Sequence, residues 1–298
     1  MTVLTGDESL RVVPAAGPVA TGDWVLVERV EDDLAVVAIL PRRSAFVRGD
    51  PMEGAARDEQ VIAANIDTVL VVHALNNGPN LRRLERELVL VYDSGATPVV
   101  VLAKSDLAPE MEDAVEAVLG VAPGVDVVVT SSVSGDGVAA LERYTGDGRT
   151  VALIGASGVG KSTLVNRLVG EDVQDTGDVR EGDQRGRHTT TARELVVLPK
   201  GGALVDTPGL RAVSLWDSEE GFSRAFAEIE ALAEQCRFRD CAHRTEPGCA
   251  VRAAVERGDL DTDRLEHYLR LGRELDATAK RRNERLASKA IREFYKRR

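Results

Sequence analysis

A chain of 298 residues with 43% hydrophobic content is long enough for two or three domains with real cores. No stretch approaches the ~20 apolar residues of a membrane-crossing helix. The first thirty residues place acidic, Gly and Pro positions where a signal peptide would carry an apolar run, so the expectation is a cytoplasmic protein with no membrane partner. The formal net charge of −11 excludes a uniformly basic surface, yet residues 278–298 hold nine Lys/Arg against two Glu. That basic arm reads either as a solvated helix face or as a contact for RNA phosphates.

In chain order, residues 1–53 predict short strands with frequent turns: "GDWVLVERV" at 22–30 and "LAVVAIL" at 34–40 alternate or run apolar between Gly, Pro and Asp. A small β-barrel is expected. From Asn65 strands and helices alternate. "IDTVLVVHAL" is a strand, "NLRRLERELVLVYDSG" a helix closed by Gly95, "PVVVLA" a strand, "PEMEDAVEAVLG" a helix and "VDVVVT" a third strand. Near-continuous Val/Ile/Leu strands separated by helices imply a parallel sheet covered on both faces, and "TVALIG", "ELVVL" and "GALVD" continue it. Residues 171–191, rich in Gly, Asp, Arg and Thr, are expected to form a mobile loop. Beyond about residue 222 the periodicity is helical, broken by a cysteine-containing segment at 236–249.

The strand "TVALIG" runs into Gly155-Ala156-Ser157-Gly158-Val159-Gly160-Lys161-Ser162-Thr163 and then a helix. Glycines let backbone N–H groups turn inward around phosphates, Lys161 adds a charge at the β/γ oxygens, and Ser162 offers a hydroxyl to Mg²⁺. The helix N-terminus beneath adds its positive dipole end. Downstream, "GALVDTPGL" ends a strand with Asp206, which can hold Mg²⁺ through water, and Gly209, whose N–H can face a γ-phosphate. Between them "GRHTTT" at 186–191 offers hydroxyls to complete the metal shell. Thr189, Thr190 and Thr191 are all candidates, with Thr190 the working choice. Leu210 stands where many GTPases keep a water-orienting Gln, so intrinsic hydrolysis should be slow. His188 either substitutes as the catalytic group or is a surface histidine with no role.

Two further strand ends look like guanine-reading loops: "LAKSDL" at 102–107, with Ala103, Lys104, Ser105 and Asp106, and Thr130-Ser131-Ser132. In a GTPase such an Asp accepts from guanine N1 and N2, the Lys stem packs on the ring, and the second loop presents backbone to the base oxygen. Ala103 replaces an Asn that normally touches the base and ties loops together, which predicts weaker affinity rather than a change to ATP, a loss of roughly 1–2 kcal/mol. The base loops precede the phosphate loop in the chain, a circular permutation. A parallel sheet tolerates it, because ligands bind where strand ends converge, whatever order the chain visits them.

The three cysteines fall with one histidine in Cys236-x4-Cys241-x-His243-x5-Cys249. Three thiolates and an imidazole make a closed, structural tetrahedral shell for Zn²⁺. The competing readings are a disulfide, disfavoured by the odd count, and buried free thiols.

With this motif order, a β-rich N-terminal segment and a cysteine cluster behind, the chain resembles the RsgA family (also YjeQ or EngC) of small-ribosomal-subunit-dependent GTPases. The resemblance covers almost the whole chain through "GASGVGKST", "GRHTTT", "DTPG" and the cysteine segment; Ala103 in place of the usual Asn and Ser132 where Ala is common are departures. It implies a multidomain α/β protein: an OB-fold barrel over 1–55, a circularly permuted P-loop GTPase domain over 60–220, and a zinc-binding helical domain with a basic tail over 221–298. It further implies a monomer with one structural Zn²⁺, using Mg²⁺ with GTP, whose ribosome-stimulated hydrolysis to GDP serves late maturation of the small (30S) subunit and its 16S rRNA. Arg42, Arg43, Phe46 and Arg48 of the barrel, together with the tail, would face rRNA, their other role being barrel edge and solubility. The alternatives are a permuted GTPase acting on the large subunit, and an RNA-binding assembly factor whose nucleotide site is weak or vestigial.

Overall fold

The computed structural model describes residues 1–5, 8–14, 16–48, 60–108, 111–171, 194–206 and 218–296. The N-terminal unit is built from β1 (Thr2–Thr5), β2 (Glu8–Arg11), β3 (Val13–Pro14), β4 (Val25–Val30), β5 (Asp33–Ile39), β6 (Ala45–Arg48) and β7 (Gln60–Ala64). β1–β2, β4–β5 and β6–β7 pair antiparallel, and β3 runs parallel to β5. The β4–β5 hairpin turns on two residues, with Glu31 in the left-handed region at φ 56°, as right-twisting strands require of so short a loop. Val36, Phe46 and Ile62 are buried in this unit.

The central sheet contains β8 (Thr68–Ala74), β9 (Thr97–Ala103), β10 (Asp126–Val129), β11 (Thr150–Ile154), β12 (Glu194–Val197) and β13 (Ala203–Asp206), in the spatial order β10-β9-β8-β11-β13-β12. All pairings are parallel except β12–β13. The expected fully parallel sheet therefore gains an antiparallel edge. Only residues 198–202 join β12 to β13, closed by Leu198 N–H donating to Gly202 O, whereas a parallel crossover takes a dozen or more residues.

Helices α1 (Leu81–Asp93) and α2 (Met111–Val121) cover one face, where Val69, Val71, Val100 and Leu102 join Leu84, Leu88 and Val118. On the other face Leu70, Val72, Val101 and Val151 pack with residues of α3 (Glu142–Thr145) and α4 (Lys161–Val169), Tyr144 and Leu164 among them. Strand residues alternate between faces, so nearly every side chain of β8 is buried and the run reads apolar throughout. Asn80 caps α1 by accepting from Arg83 N–H at 3.0 Å, and Gly95 ends it at φ 83°.

The C-terminal part is helical: α5 (Glu219–Ala225), α6 (Ala227–Ala233), α7 (Ala250–Arg257) and α8 (Thr262–Lys296). Its core is continuous with that of the sheet, since Phe226, Ile229, Val251, Leu265 and Leu271 belong to the same buried cluster as Leu84 and Leu88 of α1. α5 lies hard against α1 at Gly221, where a Cβ would fall 2.4 Å from Val89 O, so only glycine allows the approach. Arg264 locks the joint. Its guanidinium donates to Glu85 on α1, to Glu228 at 2.8 Å and to Ala225 O at 2.6 Å, and it lies over the Phe226 ring at 4.2 Å.

Candidate nucleotide site and metal centre

The parallel strands point their C-terminal ends to one edge of the sheet, which brings together segments far apart in sequence: Ala103–Asp106 after β9, Thr130–Ser132 after β10, Gly155–Thr163 after β11, and Asp206 at the end of β13. The chain proceeds from β8 outward to β9 and β10, then returns to the other side of β8 with β11. Ligands of open α/β sheets sit at such a reversal.

The phosphate loop owes its shape to glycine. Gly155 has φ 144°, and a Cβ there would meet Val72 O at 2.3 Å; Gly158 and Gly160 also have positive φ, at 77° and 103°. Gly160 is the N-cap of α4, so the N–H groups of Ser162 and Thr163 lie in the first helical turn, which no preceding turn of the helix satisfies. Lys161 is buried, and its Nζ donates to Gly155 O at 3.0 Å and to Ala156 O. Val159 packs into the core beneath.

The two base loops are held by side chains. Lys104 takes the left-handed conformation, φ 62°, and a 3₁₀ turn over Ser105–Leu107 carries Asp106. Ser131 Oγ donates to Asp106 Oδ1 at 2.6 Å and accepts from Ser134 N–H at 3.2 Å. Arg167 of α4 donates from Nε to Ser132 O at 2.8 Å and from Nη2 to Val133 O at 3.2 Å. Sequence reasoning missed Arg167, because an exposed arginine on an amphipathic helix carries no signal of the loop it faces. Base and phosphate loops lie side by side: Ala103 and Val159 share one buried cluster, and a Cβ built on Gly160 would lie 3.9 Å from both Ala103 Cβ and Lys104 Cε. Residues 172–193 and 207–217, with His188, Thr189, Thr190, Thr191, Gly209 and Leu210, lie outside the described residues, as does nearly all of the expected loop at 171–191.

The candidate metal centre lies between α6 and α7. The donor atoms of Cys236, Cys241, His243 and Cys249 fall within 4.8 Å of one another, and no disulfide links the thiols. Zn–S bonds of about 2.3 Å and Zn–N bonds of about 2.0 Å imply tetrahedral edges of roughly 3.5–3.8 Å. The Cys236–Cys249 sulfurs are 3.9 Å apart, and His243 Nδ1 stands 3.6 Å and 3.4 Å from them. The cluster therefore fits a zinc ion. Burial pushes the Cys236 thiol up, but hydrogen bonds from the Val251 and Ala250 N–H groups and from the neighbouring thiols outweigh it and leave it below its ordinary value. Burial drives the Cys241 thiol up to about 11. Burial also lowers the His243 pKa, keeping the imidazole in the neutral, ligating form. Glu246, which sequence reasoning overlooked, accepts from the Ala242, Arg244 and Thr245 N–H groups at 3.2, 2.8 and 3.0 Å and so shapes the loop that carries His243.

The expected RNA-facing residues of the N-terminal unit divide differently. Phe46 is 2% exposed and belongs to the core, because its position on β6 faces Ala63 and Ile66; it is not a stacking surface. Arg42 is committed to Asp23, donating at 2.7 and 2.8 Å. Arg43 meets Asp67 at 3.4 Å and Arg48 donates to Gln60 at 3.1 Å. Among the described residues of this unit the exposed aromatic is Trp24, 59% accessible, with Leu26 and Leu40 also exposed.

A glycine-rich loop leading from a central strand into a helix, with base-loop segments on neighbouring strand ends and the base loops first in the chain, defines a circularly permuted P-loop GTPase. The chain belongs to the RsgA GTPase family, whose model matches residues 39–216. It is 47% identical over 263 residues to "Small ribosomal subunit biogenesis GTPase RsgA 2" of Lactiplantibacillus plantarum, covering 88% of this chain and 73% of that protein. It is 48% identical over 279 residues to the RsgA protein of Streptomyces avermitilis, covering 93% and 75% respectively. Among solved structures, YjeQ from Thermotoga maritima superposes with a TM-score of 0.68 at 26% identity over 92% of this chain and 93% of that one. YloQ, described as a circularly permuted GTPase, gives 0.68 at 26% identity over 93% and 91%. The protein is a GTP-hydrolysing enzyme, and no helix among the described residues is long and apolar enough to cross a membrane.

Proposed function

We propose that the protein acts in late maturation of the small (30S) ribosomal subunit, as a cytoplasmic monomer whose GTP hydrolysis is stimulated by the subunit and followed by its own release. The observation that carries this reading is the meeting of Ala103 and Lys104 with Gly160, a base loop and a phosphate loop held at one sheet edge. The relatives' names, which speak of small-subunit biogenesis, support the partner.

In this reading Asp106, aligned by Ser131, accepts from guanine N1 and N2, and the Lys104 stem lies on the purine face while Ser131 and Ser132 present backbone to the base oxygen. The N–H groups of residues 155–163 surround the phosphates, and Lys161 exchanges its carbonyl partners for the β/γ oxygens. Ser162, Thr190 and Asp206 would hold Mg²⁺, which when bound would supply positive charge against that developing on the phosphates. Gly209 N–H meets the γ-phosphate. His188 orients the water that attacks the γ-phosphorus as the bond to the β–γ bridging oxygen breaks. Cys236, Cys241, His243 and Cys249 bind one structural Zn²⁺, and Trp24 with Leu26 and Leu40 offers 16S rRNA the stacking surface first expected of Phe46.

GTP turnover measured alone, with purified small subunits and with large subunits tests the assignment. Strong stimulation by small subunits is the expected result. Stimulation by large subunits alone would move the site of action. Unstimulated turnover with intact RNA binding would leave an RNA-binding factor with a weak nucleotide site.

A further inference from the structure

One side of the central sheet ends at β10, and no described strand pairs with its outer edge. Val129 lies opposite Leu102, and Thr130 N–H donates to Leu102 O at 2.8 Å. The backbone groups of Val128 and Thr130 therefore turn toward β9, and those of Val127 and Val129 turn away from it. Gly137 closes the upper end of this row, because a Cβ there would strike the Val129 carbonyl. What stays open is the N–H and C=O of Val127 and the N–H of Val129, an edge of the kind that accepts a further strand.

An apolar groove of about 290 Å³ accompanies that edge, lined by Val129 and by Met111, Val115 and Leu119 of α2, with Glu112 and Glu116 beside them. Positions 111, 115 and 119 recur at helical spacing, one stripe over from Ala114 and Val118, which pack into the core. Leu119 is 49% exposed. Val127 and Val129 pack on the α2 face of the sheet, and Val128 on the opposite one. A strand added at the edge would therefore send every second side chain toward the groove. So short an edge offers few hydrogen bonds, which leaves much of the affinity to those side chains.

Charge selects the occupant. Residues 105–142 hold eight Asp/Glu and no Lys, Arg or His. Glu112, Asp113 and Glu116 are exposed on α2, and no described residue forms an ion pair with them; Arg143, the nearest cation in the chain beyond this stretch, is committed to Asp126 at 3.1 Å. Such a surface repels RNA phosphates, and a second copy pairing edge to edge would bring the same carboxylates together. We infer that the β10 edge and the α2 groove form a docking site for an extended basic segment of another protein. That segment adds a strand to the sheet, seats alternate apolar side chains on Met111, Val115 and Leu119, and sets its cations against Glu112 and Glu116. No residue of this groove belongs to the nucleotide loops or to the metal centre.

The test is fluorescence anisotropy of a fluorescein-labelled peptide of alternating valine and lysine, titrated with the full-length protein, together with amide hydrogen exchange at Val127 and Val129. The peptide should bind saturably, and a copy with glutamate in place of lysine should not. L119K should weaken binding about tenfold, the worth of one aliphatic side chain withdrawn from its groove. E112K/E116K should weaken it by a similar factor and flatten its salt dependence. Both variants change exposed positions, and thermal melts check that they fold. The Val127 and Val129 amides should exchange quickly in the free protein and slowly with the peptide bound, a reading that needs no substitution. Equal binding of the glutamate copy, unchanged affinity in L119K, or peptide binding without protection of these amides overturns the inference. Protection already present in the free chain overturns it as well, because the edge is then covered from within. A wild-type dimer in sedimentation that L119K dissolves gives the groove to a second copy, and displacement of the peptide by oligouridine gives it to RNA; either result sinks the assignment to a basic peptide.

Discussion

Replacing Arg264 with Ala tests whether the helical C-terminal unit is part of the GTPase body. Arg264 is 4% exposed and Glu85 2%, so the substitution leaves a buried carboxylate whose remaining partner among the described residues is His267. It also strips a donor from Ala225 O and a cation from the Phe226 face. Breaking one side of a buried pair costs about 3–5 kcal/mol, most of it the stranded charge. That is a large share of the ~5–15 kcal/mol that stabilises a typical domain. Glu85→Ala should cost less, because Arg264 keeps Glu228 and Ala225 O. The double variant should cost less than the sum of the two by about 1–3 kcal/mol. The assay is urea unfolding followed by circular dichroism, with zinc release recorded in the same titration. With a continuous core, the wild type should lose sheet structure and zinc in one transition, and Arg264→Ala should separate them. A cost under about 1 kcal/mol, the range of an exposed ion pair, or strict additivity of the two substitutions, would refute the argument that this contact joins the units.

Lys161→Ala should weaken GTP binding by about 10–100-fold, the worth of a charge-assisted hydrogen bond to phosphate, with the far-ultraviolet spectrum unchanged; calorimetric titration reads it. Chelation should remove one zinc per chain in a colorimetric assay and lower the melting temperature, because Cys236 and Cys249 also accept from the Ala250 and Arg252 N–H groups that open α7. Phe46→Ala should cost about 3–5 kcal/mol in stability as a core truncation without altering RNA affinity of the folded fraction, whereas Trp24→Ala should weaken RNA binding at unchanged stability, both read by filter binding and thermal melts. A hydrogen bond from Arg86 holds the Glu274 carboxyl below its ordinary value of 4.5, with smaller help from neighbouring charges. A depressed carboxyl stabilises the fold above that value and loses the contribution as pH falls through its folded pKa, so wild type and Glu274→Gln should converge in melting temperature on acidification.

The strands, the glycine-rich turn into α4 and the clustering of Cys236, Cys241, His243 and Cys249 were legible because each follows a local rule. A buried strand must be apolar, a phosphate cradle needs glycines at fixed offsets, and four ligands within one short segment can close a shell without help from the rest of the chain. Features that depend on what lies opposite were not legible. Phe46 in "RRSAFVRG" reads equally well as an exposed aromatic among arginines, and only its pairing across β7 makes it core. Arg264, Glu85 and Gly221 look like ordinary helix residues until α8 and α5 are laid on α1. The antiparallel turn of β12 could have been read, since residues 198–202 are too few for a parallel crossover.

Permutation alters which parts of the molecule are mechanically adjacent. The strand that ends at Asp206 is followed, across residues 207–217, by α5, and α5 lies against α1 with the Gly221 backbone almost on Val89 O. α1 in turn packs on the same face of the sheet as β8 and β9, the strand that carries the first base loop. The phosphate edge and the base edge are therefore joined twice, once through the sheet and once around the outside through α5 and α1. Packed interiors shift between discrete arrangements rather than stretch. A displacement of α5 must then either carry α1 with it or break the Arg264–Glu85 contact, and desolvation of the stranded charges makes the second route costly. On that ground a displacement of the helical unit is expected to carry α1 with it as one body.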